Sequence, residues 1–332
     1  MTIQDVAKKY AVAVSPTIRA LIDPNDAADP IARQFLPDMA ELNVAPEELA
    51  DPIADEAHAP VKGVVHRHPD RVLLKAVNAC PVYCRFCFRR ELVGPGKGGL
   101  TPSELANALA YIKGRPEIWE VILTGGDPFI LSPRRMRQLT EALAETGHVR
   151  IVRWHSRVPL VEPERVTEDL ASALVAPGIT SWVAIHANHP RELGTGARAA
   201  IAHLAKAGVN LVSQTVLLKG VNDDVETLGS LMRAFVEAGV KPYYLHHPDL
   251  ARGTAHFRLS IEDGLALTRA LRAKISGLAQ PLYVLDLPGG FGKVPLDSQS
   301  VEKTQTAHRI RDFAGNWHDY PAPLCPPRGQ AR

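Results

Sequence analysis

The fold is decided by the stretch Asn78-Ala79-Cys80-Pro81-Val82-Tyr83-Cys84-Arg85-Phe86-Cys87, which places three cysteines in one loop with the spacing C-x3-C-x2-C. An apolar, β-branched segment, Val72–Val77, precedes this loop and predicts a strand. Thiolates hold iron–sulfur clusters, and three of them leave one iron of a four-iron cubane without a protein ligand. An open metal position can bind a small molecule. The loop therefore predicts a catalytic [4Fe-4S] cluster held by Cys80, Cys84 and Cys87.

A structural zinc site and a set of buried thiols are the alternatives to a cluster. Structural zinc takes four ligands at close spacing, whereas the fourth cysteine, Cys325, lies far away near the C-terminus. Clustered cysteines in a cytoplasmic chain bind metal or do chemistry more often than they form disulfides. The N-terminus has no apolar run long enough for a signal peptide or a membrane helix, so we expect a cytoplasmic protein.

The composition is that of a globular protein with a small-molecule partner. Hydrophobic residues make up 45% of the 332 positions and charged residues 22%, which is ordinary for a folded domain. The formal net charge is +2, so nothing suggests a nucleic-acid or membrane surface as partner.

Apolar strand segments alternate with segments of helical period on both sides of the cysteine loop. The predicted strands are Val72–Val77, Trp119–Thr124, Val149–His155, Trp182–His186, Val209–Leu217 and Lys241–His246, with an extra strand at Leu282–Leu285. The predicted helices are Ser103–Lys113, Pro133–Thr146, Arg191–Ala207, Asp224–Ala238 and Ile261–Ser276. This alternation predicts an α/β fold with parallel strands, and six units favour a partial (β/α)6 TIM-like barrel.

Three segments follow from this pattern. Residues 1–60, rich in Pro, Asp and Ala, are expected to form helical turns and loops that wrap the barrel. Residues 61–280 would form the barrel itself. Residues 281–332 would form a C-terminal extension that carries a glycine-rich loop and ends in an irregular, Pro-rich tail from Asn316 onwards.

Polar residues gather where the predicted strands end. Asp127 follows the second strand, His186 ends the fourth, Asp249 follows the sixth and Asp286 ends the extra strand. Because chemistry in barrels of this type sits at the carboxyl ends of the strands, these positions predict the site.

Two glycine-rich segments add to the candidate site. Gly125-Gly126-Asp127-Pro128 ends the second strand, although Gly-Gly-Asp on its own is a common turn. The second segment runs Asp286-Leu287-Pro288-Gly289-Gly290-Phe291-Gly292-Lys293-Val294-Pro295. Glycines let a backbone approach a ligand closely, and a lysine there could form a Schiff base with an aldehyde cofactor. The alternative is an ordinary exposed loop lysine.

Taken together, these motifs resemble known families. The cysteine spacing is similar to the signature of the radical S-adenosylmethionine (SAM) superfamily. From about Ser15 to about Arg311 the chain resembles the lysine 2,3-aminomutase family within it. The resemblance is carried by motifs along the whole chain: Pro69-Asp70-Arg71-Val72, the cysteine loop through Arg89-Arg90, His186-x-Asn188-His189-Pro190, Val216-Leu217-Leu218-Lys219-Gly220-Val221-Asn222-Asp223, Tyr243-Tyr244, Asp249-Leu250, His256-Phe257-Arg258, and the lysine loop.

The resemblance implies cofactors and residue roles. It implies a [4Fe-4S] cluster, SAM and pyridoxal 5′-phosphate (PLP), with Lys293 as the Schiff-base lysine. The residues implied to bind the cofactors besides the cysteines are Arg67 and Arg71 at the PLP phosphate, Gln214 near PLP, Gly125, Gly126 and Asp127 at the SAM amino group, and His186 near SAM. The residues implied to bind substrate are Arg89 at the α-carboxylate, and Asp249 and Asp286 at a distal ammonium.

The implied activity is an isomerase that moves the α-amino group of L-lysine to C3. A low-potential flavodoxin or ferredoxin would supply the electron that starts the reaction. The sequence leaves open whether the chain forms a homo-oligomer. The relative that modifies elongation factor P and aminomutases for arginine or glutamate are alternatives. An iron–sulfur electron carrier is an alternative from another class, although it would have no use for the lysine loop.

The chain also departs from the family at several positions. Asp224 stands where the larger lysine enzymes have a cysteine for an interface zinc, and their C-terminal zinc cysteines are absent, which leaves only Cys325 in that region. An intersubunit zinc is therefore not expected. His246 stands where an aromatic hydroxyl residue is expected near PLP, and Phe291 where a glycine is usual. These changes are expected to reshape the pocket.

Overall fold

A computed structural model describes residues 2–296, 301–303, 308–311 and 317–320 of the chain. Its main sheet has nine strands that are neighbours in chain order. They are β1 (Val64–His68), β2 (Arg71–Val77), β3 (Glu120–Gly125), β4 (Ile151–Ser156), β5 (Thr180–His186), β6 (Asn210–Val216), β7 (Lys241–His246), β8 (Leu282–Leu287) and β9 (Gly292–Pro295). Strands β2 to β8 are parallel, while β1 and β9 pair antiparallel to the edges.

Helices connect the parallel strands and cover their outer face. The described residues form α1 (Ile3–Lys9), α2 (Pro16–Leu21), α3 (Pro30–Phe35), α4 (Pro102–Lys113), α5 (Pro133–Ala144), α6 (Val158–Val161), α7 (Glu168–Ser172), α8 (Thr195–Lys206), α9 (Val225–Glu237) and α10 (Ile261–Lys274). None of these helices is long and apolar enough to cross a membrane. The predicted α/β barrel of the radical SAM type is confirmed, with β8 as a seventh parallel strand.

The sheet is nearly closed, because the turn between β8 and β9 lies against β1. A Cβ on Gly290 would stand 2.5 Å from His58 Nε2 and 3.2 Å from Arg67 Cδ. Gly290 and Gly292 also have positive φ angles of 82° and 96°, which favour glycine. The glycine-rich loop is therefore required where the two edges of the barrel approach each other.

Local sequence explains where the helices begin. Thr101 Oγ1 accepts a hydrogen bond from Glu104 N at 3.3 Å, and Glu104 Oε2 accepts one from Thr101 N at 2.8 Å, so the predicted capping box opens α4. The prediction that a helix begins at Arg191 is wrong. Pro190–Glu192 is a 3₁₀ turn and Gly194 then precedes α8, because glycine breaks the helical run there.

Alternation along the strands divides the core from the barrel interior. On β2, Val72, Leu74 and Ala76 are buried and belong to the core beneath the helices. Leu73 and Lys75 alternate with them and therefore face the interior. The same alternation turns a polar set inward: Arg71, Lys75, Arg153, His155, His186, Gln214, His246 and Asp286. The interior is thus lined by polar side chains, unlike the apolar core beneath the helices.

The C-terminal part differs from the expected irregular tail. Three strands, β10 (Val301–Lys303), β11 (His308–Arg311) and β12 (Trp317–Tyr320), form a small antiparallel sheet. The prediction of an irregular segment is therefore wrong for Trp317–Tyr320, which pairs with β11. Residues beyond Tyr320, Cys325 among them, lie outside the described residues.

Candidate active site

The loop after β2 brings the three cysteines near one another. All three are free thiols of intermediate exposure. Burial, with the charge of the neighbouring Cys84 added, raises the pKa of Cys87 to about 11. Burial, followed by Asp127 and the other two cysteines, raises the pKa of Cys80 further still. The Cys80 and Cys87 thiols therefore need a cation beside them to ionise and become ligands, which suits an iron–sulfur cluster.

The thiols are neighbours and not a preassembled metal centre. Within the described ranges, no three His, Cys, Asp or Glu side chains stand in ligand geometry around a common point. The donor set nevertheless fits a cluster, because three soft sulfur ligands from one short loop match the three-cysteine requirement. Cys325 lies outside the described residues, so its expected distance from the loop stays a prediction.

Buried ion pairs fix the cysteine loop against the N-terminal segment. Glu41 is fully buried and accepts from Arg85 Nε at 2.9 Å and from Arg85 Nη2 at 2.5 Å. Arg90 Nη2 contacts the same carboxylate. Arg85 Nη1 also donates to Ala11 O at 2.7 Å. A buried carboxylate between two guanidinium groups holds both ends of the loop in place.

A second buried arginine, Arg157, approaches a cysteine sulfur directly. Arg157 Nη1 lies 2.9 Å from Cys84 Sγ, while its Nη2 lies 2.7 Å from Glu192 Oε2 and 2.5 Å from Gln34 Oε1. Asn188 Nδ2 donates to the same Gln34 oxygen at 3.0 Å. The network therefore joins β4, β5 and the N-terminal segment at the cysteine loop.

The glycine-rich end of β3 packs directly on the start of the cysteine loop. A Cβ on Gly126 would stand 2.2 Å from Ala79 O, and one on Gly125 would stand 2.6 Å from Val77 O. Gly126 N and Asp127 N donate to these same carbonyl oxygens at 2.7 and 3.0 Å. Both glycines are therefore needed for close backbone approach, whether or not they also meet SAM.

The Asp127 carboxylate has its own protein partners. It accepts hydrogen bonds from Ser156 Oγ at 2.8 Å, Arg157 N at 2.7 Å, Phe129 N at 3.0 Å and Val158 N at 3.2 Å. Burial raises its pKa despite these donors. The side chain thus joins the ends of β3 and β4, and the predicted contact with SAM, which involves the backbone, stays a prediction.

His186, at the end of β5, lies on the cysteine side of the interior. Its ring meets the Phe86 ring edge-on at 5.6 Å, and its Nε2 lies 3.3 Å from Asn188 Oδ1. Burial, with the Arg157 charge added, lowers its pKa well below the ordinary value. A neutral imidazole next to the cysteine loop can donate or accept a hydrogen bond with an uncharged part of a ligand.

The lysine loop and the strand-end aspartates form a second centre in the interior. Lys293 Nζ lies 2.7 Å from Asp286 Oδ1 and 2.9 Å from Oδ2, and His246 Nδ1 lies 3.4 Å from Oδ2. Burial alone would raise the pKa of Asp286, but the His246 hydrogen bond and the Lys293 charge hold it below its ordinary value. The expected reshaping by His246 is thus a direct contact with this carboxylate.

Asp249 is the unsatisfied member of this centre. Its Oδ1 is enclosed and has no hydrogen-bond partner in the described part of the chain. Burial and the Asp286 charge raise the pKa of Asp249 to about 7, although Lys293, Arg89 and Arg67 act in the opposite direction. These charges act on one carboxyl, so the predicted residues Asp249, Asp286, Lys293, Arg89 and Arg67 do come together.

One buried carboxylate, which the sequence did not mark as a site residue, pairs with three cations of the interior. Asp55, from the N-terminal segment, pairs with Arg89 at 2.9 Å, Arg67 at 3.3 Å and Lys75 at 3.5 Å. Arg71 differs, because it pairs with Asp70 at 2.8 Å and its side chain is 38% exposed. Arg71 opens β2, and its charge reaches the hydroxyl of Tyr244, which also faces the interior.

Two further polar side chains, Gln214 and His155, face the interior. Gln214 lies half-buried beside a register shift in β6. His155, on β4, has an enclosed Nε2 without a hydrogen-bond partner among the described residues. Burial and the charges of Arg153 and Lys293 lower the pKa of His155 well below its ordinary value. Only its position at a strand end could have marked His155 in the sequence, and nothing local marks Asp55.

Comparisons with known proteins agree with this geometry. Residues 74–231 match the model of the Radical SAM superfamily. The chain is 37% identical to L-lysine 2,3-aminomutase of Clostridium subterminale over 96% of this chain and 76% of that protein. It is 39% identical to a putative L-lysine 2,3-aminomutase of Aquifex aeolicus over 89% of this chain and 80% of that protein. It is 35% identical to glutamate 2,3-aminomutase of Clostridioides difficile, over 94% and 74%.

Among solved structures, a radical SAM methyltransferase from Sphaerobacter thermophilus aligns with a TM-score of 0.48 and 19% identity, over 67% of this chain and 68% of that chain. The barrel with its three-cysteine loop defines a radical SAM enzyme, and the enzyme is an isomerase of the aminomutase type. Within that class the chain belongs to the lysine 2,3-aminomutase family.

Proposed function

We propose that this aminomutase acts on L-lysine and moves its α-amino group to C3, giving β-lysine. The observation that carries the proposal is the Asp286 carboxylate, which binds the Lys293 ammonium through both oxygens beside the unpartnered Asp249. The Asp286 carboxylate already binds one alkyl ammonium, that of Lys293. A substrate with a distal ammonium would supply Asp249 with the cation that it lacks.

The cofactors would supply the reactive groups. When bound, the cluster and SAM provide the radical that removes a hydrogen atom from the substrate, and PLP provides the aldehyde that holds the migrating nitrogen. The chain would hold the cluster through Cys80, Cys84 and Cys87, and Lys293 would hold PLP. The polar interior and the nearly closed sheet suit this, because they orient ligands and exclude water.

The remaining residues would divide the ligands between them. Arg67 and Arg71 would hold the PLP phosphate, with Gln214 close to the ring, since guanidinium groups match phosphate geometry. The backbone at Gly125, Gly126 and Asp127 and the ring of His186 would face SAM. Arg89 would pair with the substrate α-carboxylate, which is consistent with its position among the interior charges that act on Asp249.

Other amino acids fit the two aspartates less well. A glutamate substrate would bring a third carboxylate to Asp249 and Asp286, and like charges at that distance repel. Arginine is the second candidate substrate, because it also carries a distal cation. Its guanidinium group is larger than the ammonium group of lysine. Lysine destined for elongation factor P has the same chemistry as free lysine at this site. The reductant would be a low-potential flavodoxin or ferredoxin.

A product assay tests the proposal. The protein is reconstituted anaerobically with iron, sulfide, PLP and SAM, reduced, and incubated with L-lysine, L-arginine or L-glutamate, and the amino acids are then separated by chromatography. We expect β-lysine as the main product. Breaking a buried charge pair costs ~3–5 kcal/mol, and even half of that lowers kcat/KM more than tenfold.

Matched variants make the test specific to the two aspartates. Asp249→Asn and Asp286→Asn should each lower kcat/KM for L-lysine at least tenfold while cluster and PLP content stay unchanged. Asp169→Asn removes a carboxylate from an exposed pair outside the barrel and should have no effect. Wild-type turnover of L-glutamate without L-lysine, or full activity of both interior variants, would refute the substrate assignment.

A further inference from the structure

The interior carries a cation that neither the motifs nor the proposed roles use. Lys75 lies on β2 between two buried neighbours, and its side chain is only 15% exposed. Its Cβ lies against the glycine-rich end of β3, 3.1 Å from where a Cβ on Gly125 would stand. Lys75 Nζ is 3.5 Å from Asp55 Oδ2, the oxygen that also accepts from Arg89 Nε at 2.9 Å. The lysine and the arginine are therefore neighbours around one carboxylate oxygen.

Asp55 is held in place by a strained turn. Ala54 has a φ of 54° and is the one residue other than glycine with a positive φ in the described part of the chain. Asp51 Oδ1 accepts from Asp55 N at 3.0 Å, and Asp51 Oδ2 accepts from Glu56 N at 2.9 Å. A left-handed conformation is unfavourable for alanine, and such strain persists at sites where the surrounding structure requires it. The turn thus presents the Asp55 carboxylate to the interior.

The charges around Asp55 do not balance. Three cations, Arg67, Lys75 and Arg89, share this single carboxylate, and the ion pairs found among the described residues give none of them another. Arg67 also donates to Ile53 O at 2.8 Å and Arg89 to Thr124 Oγ1 at 3.2 Å. Lys75 Nζ donates no hydrogen bond within the same ranges. A surplus of enclosed positive charge is stable only with an anion nearby.

We infer that Lys75 and Arg89 together form the subsite for the α-carboxylate of the amino-acid substrate, with Asp55 as the residue that positions both cations. This inference rests on the proposed function and deepens it. Arg89 Nη2 meets no hydrogen-bond acceptor within the described ranges, because only Nε and Nη1 of this guanidinium group donate there. A carboxylate between Nη2 and the Lys75 ammonium receives charge-assisted hydrogen bonds from two sides. Asp55 keeps the two cations together in the absence of substrate.

Binding without turnover tests this subsite. Isothermal titration of the PLP-loaded, cluster-containing enzyme, kept without reductant and SAM, compares L-lysine with cadaverine, which is lysine without its α-carboxylate. Lys75→Met keeps the length of the side chain and removes the charge. We expect it to weaken L-lysine binding at least tenfold and to leave cadaverine binding within twofold of wild type. Lys62→Met, which removes an exposed lysine paired with Glu104 outside the barrel, should change neither.

A second variant separates charge from folding. Lys75→Arg keeps the positive charge and should restore most of the L-lysine affinity, which a merely structural lysine would not predict. The inference is overturned if Lys75→Met binds L-lysine as tightly as wild type, or if it loses L-lysine and cadaverine equally. It is also overturned if the variant loses its PLP absorbance, because Lys75 would then serve the cofactor.

An incorrect substrate assignment would give a different result in the same binding experiment. If wild type binds L-glutamate and not L-lysine, the lysine assignment fails. The pair L-glutamate and 4-aminobutyrate then tests Lys75 in the same way, since 4-aminobutyrate lacks only the α-carboxylate. A wild-type enzyme that binds neither amino acid would overturn both proposals.

Discussion

Replacing Asp249 with asparagine should stabilise the ligand-free protein at alkaline pH, although it should destroy lysine turnover. The pKa of Asp249 is raised from 3.8 to about 7, first by burial and then by Asp286. In the unfolded chain this carboxyl loses its proton near pH 4, whereas in the folded protein it keeps the proton up to about pH 7. The folded state therefore binds more protons between these values, and its stability falls as the pH rises through this window.

The size of the effect follows from the shift. One pKa unit corresponds to about 1.4 kcal/mol, so a shift of roughly three units is worth at most ~4 kcal/mol, and ~2 kcal/mol once local relaxation and water entry are allowed for. An unfolding entropy of about 2 cal/mol/K per residue converts this into a rise in Tm of roughly 3–5 °C for Asp249→Asn at pH 8. At pH 5 the folded carboxyl is still neutral and only the unfolded one is ionised, so the gain should be roughly a third of that at pH 8, and it should vanish below about pH 4.

Thermal unfolding followed by circular dichroism under argon, on protein without PLP or SAM, measures this difference. Asp286→Asn is the matched control, and it should destabilise the protein where Asp249→Asn stabilises it. Lys293 and His246 hold the pKa of Asp286 below its ordinary value, so the native pair is stabilising above about pH 4. Loss of this pair should lower the free energy of unfolding by ~1–2 kcal/mol at both pH 5 and pH 8. This value is small because Lys293 is 35% exposed, so that water screens the pair. Asp249→Asn with no gain at pH 8, or with an equal gain at pH 5, would refute the reasoning.

Three further predictions follow from contacts elsewhere in the site. Gly126→Ala should displace the cysteine loop and reduce the iron bound per chain after reconstitution, while Gly98→Ala, which meets no atom within 4 Å, should bind iron normally. Borohydride reduction of the PLP-loaded protein should label Lys293 in peptide mapping, and a label on another lysine would exclude the assigned role. Glu41→Gln should lower the unfolding free energy in urea by ~3–5 kcal/mol because two buried arginines lose their counter-ion, and a loss under 1 kcal/mol would show that they find other partners.

The sequence predicted the strands well because the strands of a barrel covered by helices are apolar on the outer face. Both bounds of the strand Lys241–His246 are confirmed, and the other parallel strands, β8 included, begin and end within two residues of the prediction. The edge strands β1 and β9 were missed. Val64–His68 is half polar because one of its faces meets the interior, and Gly292–Pro295 follows a run of glycines that predicts a loop.

The site could be predicted only in part, for a physical reason. Strand-end positions such as Asp249 and Asp286 follow from the order of the strands, so their convergence with Lys293 was foreseeable. Asp55 lies in a loop-rich segment without periodicity, and its ion pairs join residues distant in sequence. Such pairing depends on how the segment packs, which neither composition nor spacing determines.

The N-terminal segment is consequently a component of the site and more than a wrap around it. Gln34 holds Arg157 beside Cys84, and Asp55 holds the cations of the interior. Glu41 holds one arginine within the cysteine loop and one just after it. Each of these side chains is buried and bears on a group that the barrel itself provides. A chain without residues 2–60 would keep every strand of the main sheet, and Arg157 would keep Glu192. The cations that pair with Glu41 and Asp55 would lose these carboxylates: Arg67, Lys75, Arg85, Arg89 and Arg90. The barrel alone should therefore fold poorly, and the site should form only when the N-terminal segment packs against it.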